Sequence, residues 1–116
     1  MKRQVAERSG RDAENRAAHW LEERGWSILA RRLKTKAGEI DLVARRETLV
    51  AFVEVKWRLR AADLDCAIDE RRLARVAAAA EAVAQEYLVS GDDMQIDVIL
   101  LAPGIPPRHI ANAWQP

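Results

Sequence analysis

The stretch GEIDLVARRETLVAFVEVKWR, residues 38–58, decides the fold of this chain. Two apolar runs flank the polar RRET, a pattern that predicts an antiparallel pair of strands at residues 38–44 and 49–58. A sheet that accepts charged side chains in its core needs a physical reason for doing so. Four ionisable side chains interrupt these runs where a core strand normally carries Val or Ile: Glu39, Asp41, Glu54 and Lys56.

A helix and a strand are predicted before this hairpin. Ser9 is a suitable N-cap for a helix over residues 9–24, and Gly25 is a suitable residue to end it. Apolar side chains recur at helical spacing in that segment, which predicts one buried face. The segment WSILARRLK, residues 26–34, then has the composition of a strand.

A long helix and a fourth strand are predicted after the hairpin. Residues 65–90 are rich in Ala, Leu, Glu and Arg, and Gly91 follows them, which favours a helix. The apolar run MQIDVILLA, residues 94–102, predicts a strand that Pro103 ends, and the tail is expected to be irregular apart from a short strand or turn. The order α-β-β-β-α-β predicts one α/β domain over residues 1–116. Its mixed sheet would contain an antiparallel meander and a fourth strand added by a helical crossover, with helices flanking it.

Composition is that of an ordinary globular protein, with 49% hydrophobic and 32% charged residues in a chain of 116. No apolar run approaches the roughly 20 residues of a membrane span, and the charged N-terminus lacks the apolar segment of a signal peptide. Cys66 is the single cysteine, so an internal disulfide is excluded, and no Cys/His cluster has the spacing of a zinc site. These features predict a cytoplasmic protein without a membrane partner.

Positive charge is concentrated around the hairpin. The whole chain has a net charge of +1, but residues 31–60 contain nine basic and four acidic residues, so this segment carries +5. A local positive potential suits a polyanionic partner such as nucleic acid. For the arginines that open the long helix, pairing with Asp69 and Glu70 on a solvated face is the alternative. The candidates for phosphate contact are Arg31, Arg32, Lys34, Lys36, Arg58, Arg71 and Arg75.

Alternation of side chains along the strands determines whether the four ionisable groups converge. With a loop of two or four residues centred on residues 46–47, Glu39 would lie opposite Glu54. Asp41 would then lie opposite Phe52 on the same face. A loop of three or five residues would turn one pair to the other face. We expect the even loop, and therefore convergence, because even loops are common in hairpins.

Convergence would be costly without compensation, and the compensation suggests a chemistry. Two carboxylates about 5 Å apart repel by roughly 3 kcal/mol at an effective dielectric constant of about 20. A bound divalent cation would offset that repulsion, since Mg²⁺ takes carboxylate oxygens together with water and phosphate oxygens. Lys56 could then reach a water or a phosphate, which is the grouping that phosphodiester hydrolysis requires. The alternative is a solvated hairpin in which Lys56 forms a salt bridge with Glu54 or Asp41.

The motifs GEIDLVA and FVEVKWR resemble the YraN-like family of small bacterial proteins. The resemblance extends to AEN in the first helix, IDERR at the start of the long helix and IDVI in the fourth strand, so it spans nearly the whole chain. That family is similar to archaeal Holliday junction resolvases, within the PD-(D/E)xK nuclease superfamily. The resemblance implies a restriction-endonuclease-like αβββαβ core and a metal-dependent endonuclease that acts on DNA, including branched or structured DNA.

The resemblance also implies roles for individual residues. Asp41 and Glu54 would be the metal ligands, and Lys56 would be the catalytic lysine. Glu14 would match the additional glutamate of the resolvase-like members, and the alternative is an acid favoured by the dipole of the first helix. Trp57 stands where relatives more often carry a small residue, a departure that bears on the substrate. A homodimer is expected by similarity alone, since a four-way junction has two symmetric strands.

Two functions of other classes stay open on the sequence. A non-catalytic nucleic-acid-binding module that retains the nuclease fold needs only the basic surface. A protein-interaction module would show an exposed apolar patch and no basic groove. Access of Asp41 and Glu54 to one shared cation, with Lys56 on the same side, distinguishes catalysis from both.

Several other polar residues receive structural interpretations. Asp97, inside the fourth strand, predicts a structural hydrogen bond or ion pair, with a distant acid of the site as the alternative. Glu39 is a further ligand or an outer acid of the same site. His19 and His109 have no predicted partner, and Cys66 is predicted to be a small core residue.

Overall fold

The computed structural model describes residues 2–115 of the chain, with the side chains of residues 10–115. Within these residues, no helix is both long enough and apolar enough to cross a membrane. The chain forms, in order, α1 (Lys2–Glu23), β1 (Ser27–Thr35), β2 (Gly38–Arg46), β3 (Leu49–Trp57), a 3₁₀ helix (Ala61–Cys66), α2 (Glu70–Tyr87), β4 (Asp93–Leu101) and β5 (Arg108–Ile110).

The five strands form one mixed sheet in the order β1-β2-β3-β4-β5. β1, β2 and β3 are an antiparallel meander, β4 lies parallel to β3 after the α2 crossover, and β5 returns antiparallel to β4. The predicted α/β class, element order, meander and crossover are therefore confirmed, and the short terminal strand exists. The arrangement is consistent with a restriction-endonuclease-like core.

Each face of the sheet is covered by one helix. α1 packs Ala17 and Leu21 against one face, and α2 packs Val76 against the other. The central strand β3 buries Phe52 on the α2 side and Val53 on the α1 side. Burial on both faces explains why β3 reads as a nearly continuous apolar run instead of a strict alternation.

The helix boundaries differ from the prediction. α1 begins at Lys2, so Ser9 lies inside the helix and is not its N-cap; the preceding residues are good helix formers and do not interrupt it. The predicted helix over residues 65–90 is a 3₁₀ helix followed by α2. Asp69 divides them, because its carboxylate accepts the Arg71 backbone N–H at 2.9 Å and caps α2. Cys66, which ends the 3₁₀ helix, is exposed, so its prediction as a core residue is wrong.

The β2–β3 hairpin has a register two residues away from the predicted one. Its turn is at residues 47–48, where Glu47 adopts a φ of 56°, so Arg46 pairs with Leu49. Val43 therefore lies opposite Phe52, and the predicted pairs Glu39–Glu54 and Asp41–Phe52 are wrong. The loop is still even, so Val43 and Phe52 share the face under α2, but the alternation of β2 breaks at Asp41, because Ile40 packs with Val43 while Leu42 packs on the α1 side.

A buried carboxylate fastens the C-terminal strand. Asp97 on β4 has no solvent exposure, and its Oδ2 lies 2.7 Å from Nε2 of His109 on β5. Its Oδ1 accepts the Asn112 backbone N–H at 2.9 Å. Trp20 and Trp26 meet the His109 ring edge-on, at 5.7 and 6.2 Å between ring centres. The structural role predicted for Asp97 is confirmed, and His109 does have a partner, contrary to expectation.

We expect Asp97→Ala to lower the free energy of unfolding by about 3 kcal/mol, because a buried network loses its only carboxylate. Chemical denaturation measures that loss, and hydrogen exchange should show β5 amides losing protection first. Asp93→Ala is the matched control, since Asp93 is exposed at the start of the same strand, and its effect should stay below about 0.5 kcal/mol. Equal losses in both variants would contradict this role for Asp97.

Candidate active site

The candidate site forms where the hydrogen-bonded ladder between β2 and β3 ends. The last pair of that ladder is Leu42 with Val53, so the next residues along each strand are Asp41 and Glu54. Asp41 Oδ2 accepts the Val55 backbone N–H at 2.8 Å. The Asp41 side chain, instead of a backbone carbonyl, thus accepts the Val55 N–H near the ladder end. This contact holds the Asp41 carboxyl beside that of Glu54.

Glu54 is a buried acid with a cationic partner. Glu54 is only 4% exposed, because β3 is the central strand of the sheet. Arg72, in the first turn of α2, brings its Nε to 2.6 Å from Glu54 Oε2. That hydrogen bond is the main cause of a raised pKa for Arg72. The contact pairs a buried carboxylate with a guanidinium across the sheet–helix interface.

Burial raises the pKa of Asp41 to about 8. Burial is the largest cause of this rise; a side-chain hydrogen bond with Glu54 and charge repulsion from Glu54 and Glu14 contribute to it, and the Val55 N–H opposes it. A carboxyl with this pKa keeps its proton at neutral pH.

Glu14 reaches the same place from the opposite helix. It lies on α1 next to the buried Ala13, and its side chain is 15% exposed. Burial raises its pKa, while the charge of Arg32, whose Nε is 3.7 Å away, lowers it. Glu14 also shares a side-chain hydrogen bond with Asp41. We call Glu14, Asp41 and Glu54 the acidic cluster.

Lys56 and Glu39 flank the acidic cluster. Lys56 is half-buried and follows Glu54 by two residues on a regular strand, so the two share a face of β3. Among the residues whose side chains the structure describes, Lys56 forms no hydrogen bond or ion pair. Glu39 lies opposite Lys34 in the β1–β2 ladder, and the charge of Glu39 raises the pKa of Glu14. Glu39 is therefore an outer acid of the cluster.

The basic residues predicted to contact phosphate fall into two groups. Arg31 donates to Asn15 Oδ1 at 2.9 Å, Arg32 faces Glu14, and Arg58 donates to the Trp57 carbonyl at 2.8 Å, so these three have contacts within the fold. The remaining four are exposed, two near the β1–β2 turn and two on α2. These are Lys34, Lys36, Arg71 and Arg75.

Arg72 is the site residue that the sequence interpretation missed. The solvated face expected for the arginines that open the long helix holds for Arg71 and Arg75, which are exposed, and is wrong for Arg72, which is half-buried. The available signal was helical spacing, since Arg72 precedes the buried Val76 by four residues and Ala79 by seven. An arginine on the apolar stripe of a helix needs an acid on the surface that the helix covers.

The chemistry of the donors fits a hard divalent cation, although the side chains do not yet converge on one. Among the described residues, no three His, Cys, Asp or Glu side chains are arranged to hold a metal ion. Mg²⁺ commonly takes only one or two protein carboxylates and keeps its waters. The two adjacent carboxyls of Asp41 and Glu54 meet that requirement in number and in chemistry.

Comparison with known proteins supplies a family for this chain. Residues 13–101 match the uncharacterised protein family UPF0102. The chain is 72% identical over 116 residues to a UPF0102 protein of Erythrobacter litoralis and 59% identical over 116 to one of Sphingopyxis alaskensis, in both cases over 100% of each chain. It is 52% identical over 113 residues to one of Rhizorhabdus wittichii, covering 97% of this chain and 96% of the relative. The matched range includes the acidic cluster, Lys56 and Arg72.

We expect Asp41→Asn to be more stable than the wild type, by a margin that grows with pH. The folded protein keeps the Asp41 proton up to about pH 8, whereas the unfolded chain loses it near the ordinary value of about 4. Between these values the folded state binds the extra proton, so stability falls as pH rises, by up to about 1.4 kcal/mol per pH unit. The variant removes that dependence and keeps an oxygen to accept the Val55 N–H.

Urea denaturation at several pH values between about 5 and 8 measures this difference. Glu47→Gln is the control, because it removes a carboxylate from the exposed hairpin turn of the same two strands. A margin that stays constant with pH, or that shrinks as pH rises, would show that Asp41 is ionised throughout.

Proposed function

The chain belongs to the uncharacterised protein family UPF0102, and from that premise and the acidic cluster we propose that it is a metal-dependent nuclease. The proposed reaction is hydrolysis of phosphodiester bonds in DNA, with branched or otherwise structured DNA as the substrate class. The observation that carries the proposal is the close approach of Asp41 and Glu54 at the ladder end, with Lys56 on the face of Glu54.

The proposed roles follow from what each side chain can do. Asp41 and Glu54 would hold Mg²⁺ or Mn²⁺, and a bound ion would neutralise phosphate charge and make a neighbouring water more acidic. Lys56 would orient the attacking water or stabilise the charge that develops on phosphorus. Glu14, which approaches from α1, would hold a water or accept a proton at the edge of the same site.

The exposed positive charges beside the acidic cluster indicate where the DNA backbone would bind. Lys34 and Lys36 are exposed near the β1–β2 turn, beside the end of β2 that bears Glu39 and Asp41. Thr35 Oγ1 closes this turn by accepting the Ala37 and Gly38 N–H groups, both at 3.1 Å. A rigid basic turn beside the acids would hold the DNA backbone while the bond is cut. Action on a four-way junction, a cytoplasmic location and a homodimer remain parts of this proposal.

A non-catalytic DNA-binding module is the second candidate, and one observation favours it. Glu54, the most buried acid of the cluster, is already bonded to Arg72 at 2.6 Å, and the described acids hold no ready-made metal geometry. A chain that had lost catalysis could keep such an internal ion pair for stability. The two candidates differ in whether a cation ever replaces Arg72 at Glu54.

The nuclease proposal predicts cleavage that needs both the cation and the acids. With Mg²⁺ or Mn²⁺, Asp41→Asn, Glu54→Gln and Lys56→Ala should each lower the cleavage rate by about 10²–10³-fold on branched or linear DNA, because each removes one preorganised electrostatic group. A chelator should abolish cleavage. Glu47→Gln, in the exposed turn, should keep the wild-type rate.

DNA binding should survive in Asp41→Asn and Glu54→Gln, since neither variant removes a positive charge. Salt-sensitive binding without cleavage above background, for every metal and DNA structure tried, would sink the enzyme proposal and leave the binding module.

The basic turn predicts a salt-dependent contribution to affinity. Replacing both Lys34 and Lys36 by Ala should weaken DNA binding and reduce the slope of log affinity against log salt by about 2, because two phosphate contacts are lost. Mn²⁺ affinity should not change. The control is Arg24→Ala, at the opposite end of β1, where Arg24 stacks 3.8 Å from the Trp20 ring. An equal change of slope in the control would place the DNA elsewhere.

A further inference from the structure

We propose that Arg72 acts as an internal counter-ion that occupies the cation position of the acidic cluster and must leave Glu54 before a divalent cation binds. This inference rests on the proposed metal site. It adds a residue that selects between two states of that site, one closed by a guanidinium and one open to a metal and to DNA phosphate.

The first support is the geometry of the ion pair. Arg72 donates from Nε to Glu54 Oε2 at 2.6 Å, a short, charge-assisted hydrogen bond. Glu54 is 4% exposed, whereas the Arg72 side chain is 32% exposed. The carboxylate is therefore fixed in the sheet, while the guanidinium approaches from the solvent side and has room to withdraw.

The second support is that Arg72 is bonded to Glu54, one of the two acids that a cation between Asp41 and Glu54 would contact. A dication at the Glu54 carboxylate would lie within a few ångströms of the guanidinium, and two positive centres so close repel strongly. The charge of Arg72 also acts on Asp41 and Glu39, so the guanidinium faces the whole acidic side of the site. The guanidinium and a divalent cation would therefore compete for the same carboxylate.

The third support is that Arg72 would stay close to the site after it leaves Glu54. It is anchored in the first turn of α2, whose start is fixed by the Asp69 cap. A guanidinium is a good bidentate donor to phosphate. Withdrawn from Glu54, Arg72 would stay at the edge of the site, where a DNA phosphate would be an alternative acceptor. Binding of the cation and of the phosphate would thus favour the same withdrawn state.

Mn²⁺ binding, measured by the electron paramagnetic resonance of the free ion, tests this competition without any cleavage. Arg72→Gln should bind Mn²⁺ about tenfold to a hundredfold more tightly than the wild type, because the competing charge-assisted hydrogen bond is gone. Arg71→Gln is the matched control, since it removes the same charge from the adjacent exposed position without touching Glu54. It should change the Mn²⁺ affinity by less than about threefold, as expected for a screened surface charge.

A second measurement uses the wild-type protein alone, so that it holds even if Arg72→Gln folds poorly. In protein with ¹⁵N-labelled arginine, the Nε–H signal of Arg72 should be protected from solvent exchange in the presence of chelator. Mg²⁺ should remove that protection with the same midpoint as Mg²⁺ binding. Retention of the protected signal when Mg²⁺ is saturating would overturn the proposal.

The outcomes separate this inference from the function on which it rests. Wild-type Mn²⁺ binding that Asp41→Asn abolishes, together with unchanged or weaker binding in Arg72→Gln, would refute the counter-ion role and keep the metal site. Equal tightening in Arg71→Gln and Arg72→Gln would reduce the effect to general electrostatics and also refute it. If the wild type and both arginine variants all fail to bind Mn²⁺, the metal site itself falls, and the inference falls with it.

Discussion

The close packing of two carboxyl groups, the half-buried Asp41 of β2 and the buried Glu54 of β3, is the constraint to which the rest of the structure responds. Repulsion and desolvation of such a pair cost several kcal/mol, a large fraction of the roughly 5–15 kcal/mol that stabilises a domain. The fold meets that cost locally: Val55 donates its N–H to Asp41, Arg72 pairs with Glu54, and Asp41 retains a proton. The ladder end is therefore shaped by electrostatic compensation as much as by apolar packing.

Both helical layers contribute to this compensation, and each does so through its ordinary packing. The small Ala13 and Ala17 let α1 approach the sheet closely, which brings Glu14 to the cluster from one side. On the other side, the buried Leu64 of the 3₁₀ helix fastens the segment before α2, and the Asp69 cap then fixes the helix start that carries Arg72. The acidic cluster lies where the two layers meet, so its geometry depends on the crossover that makes the sheet mixed.

The sequence predicted the elements, their order and the convergence of the acids, because hydrophobic periodicity and alternation are local properties of the chain. It did not predict the register, since moving the turn by one residue, to Glu47–Thr48, changes every cross-strand pair. Arg72 and His109 were missed for a different reason. Their partners, Glu54 and Asp97, are 18 and 12 residues away along the chain, and composition alone carries no information about which buried acid meets which cation.

The pairing within the acidic cluster explains how one site could exist with and without a metal. Glu54 faces Arg72 and Glu14 faces Arg32, so two of the three carboxyls have a cationic neighbour. The proposed exchange would replace one cation at Glu54, the Arg72 guanidinium, with another, Mg²⁺ or Mn²⁺. A buried carboxylate would then keep a positive neighbour in both states, which matters because an unpaired buried charge is expensive. The exchange requires no change in the strands, because Arg72 is bound to Glu54 through side chains alone. The fold would then be independent of the metal supply, while the chemistry would depend on it.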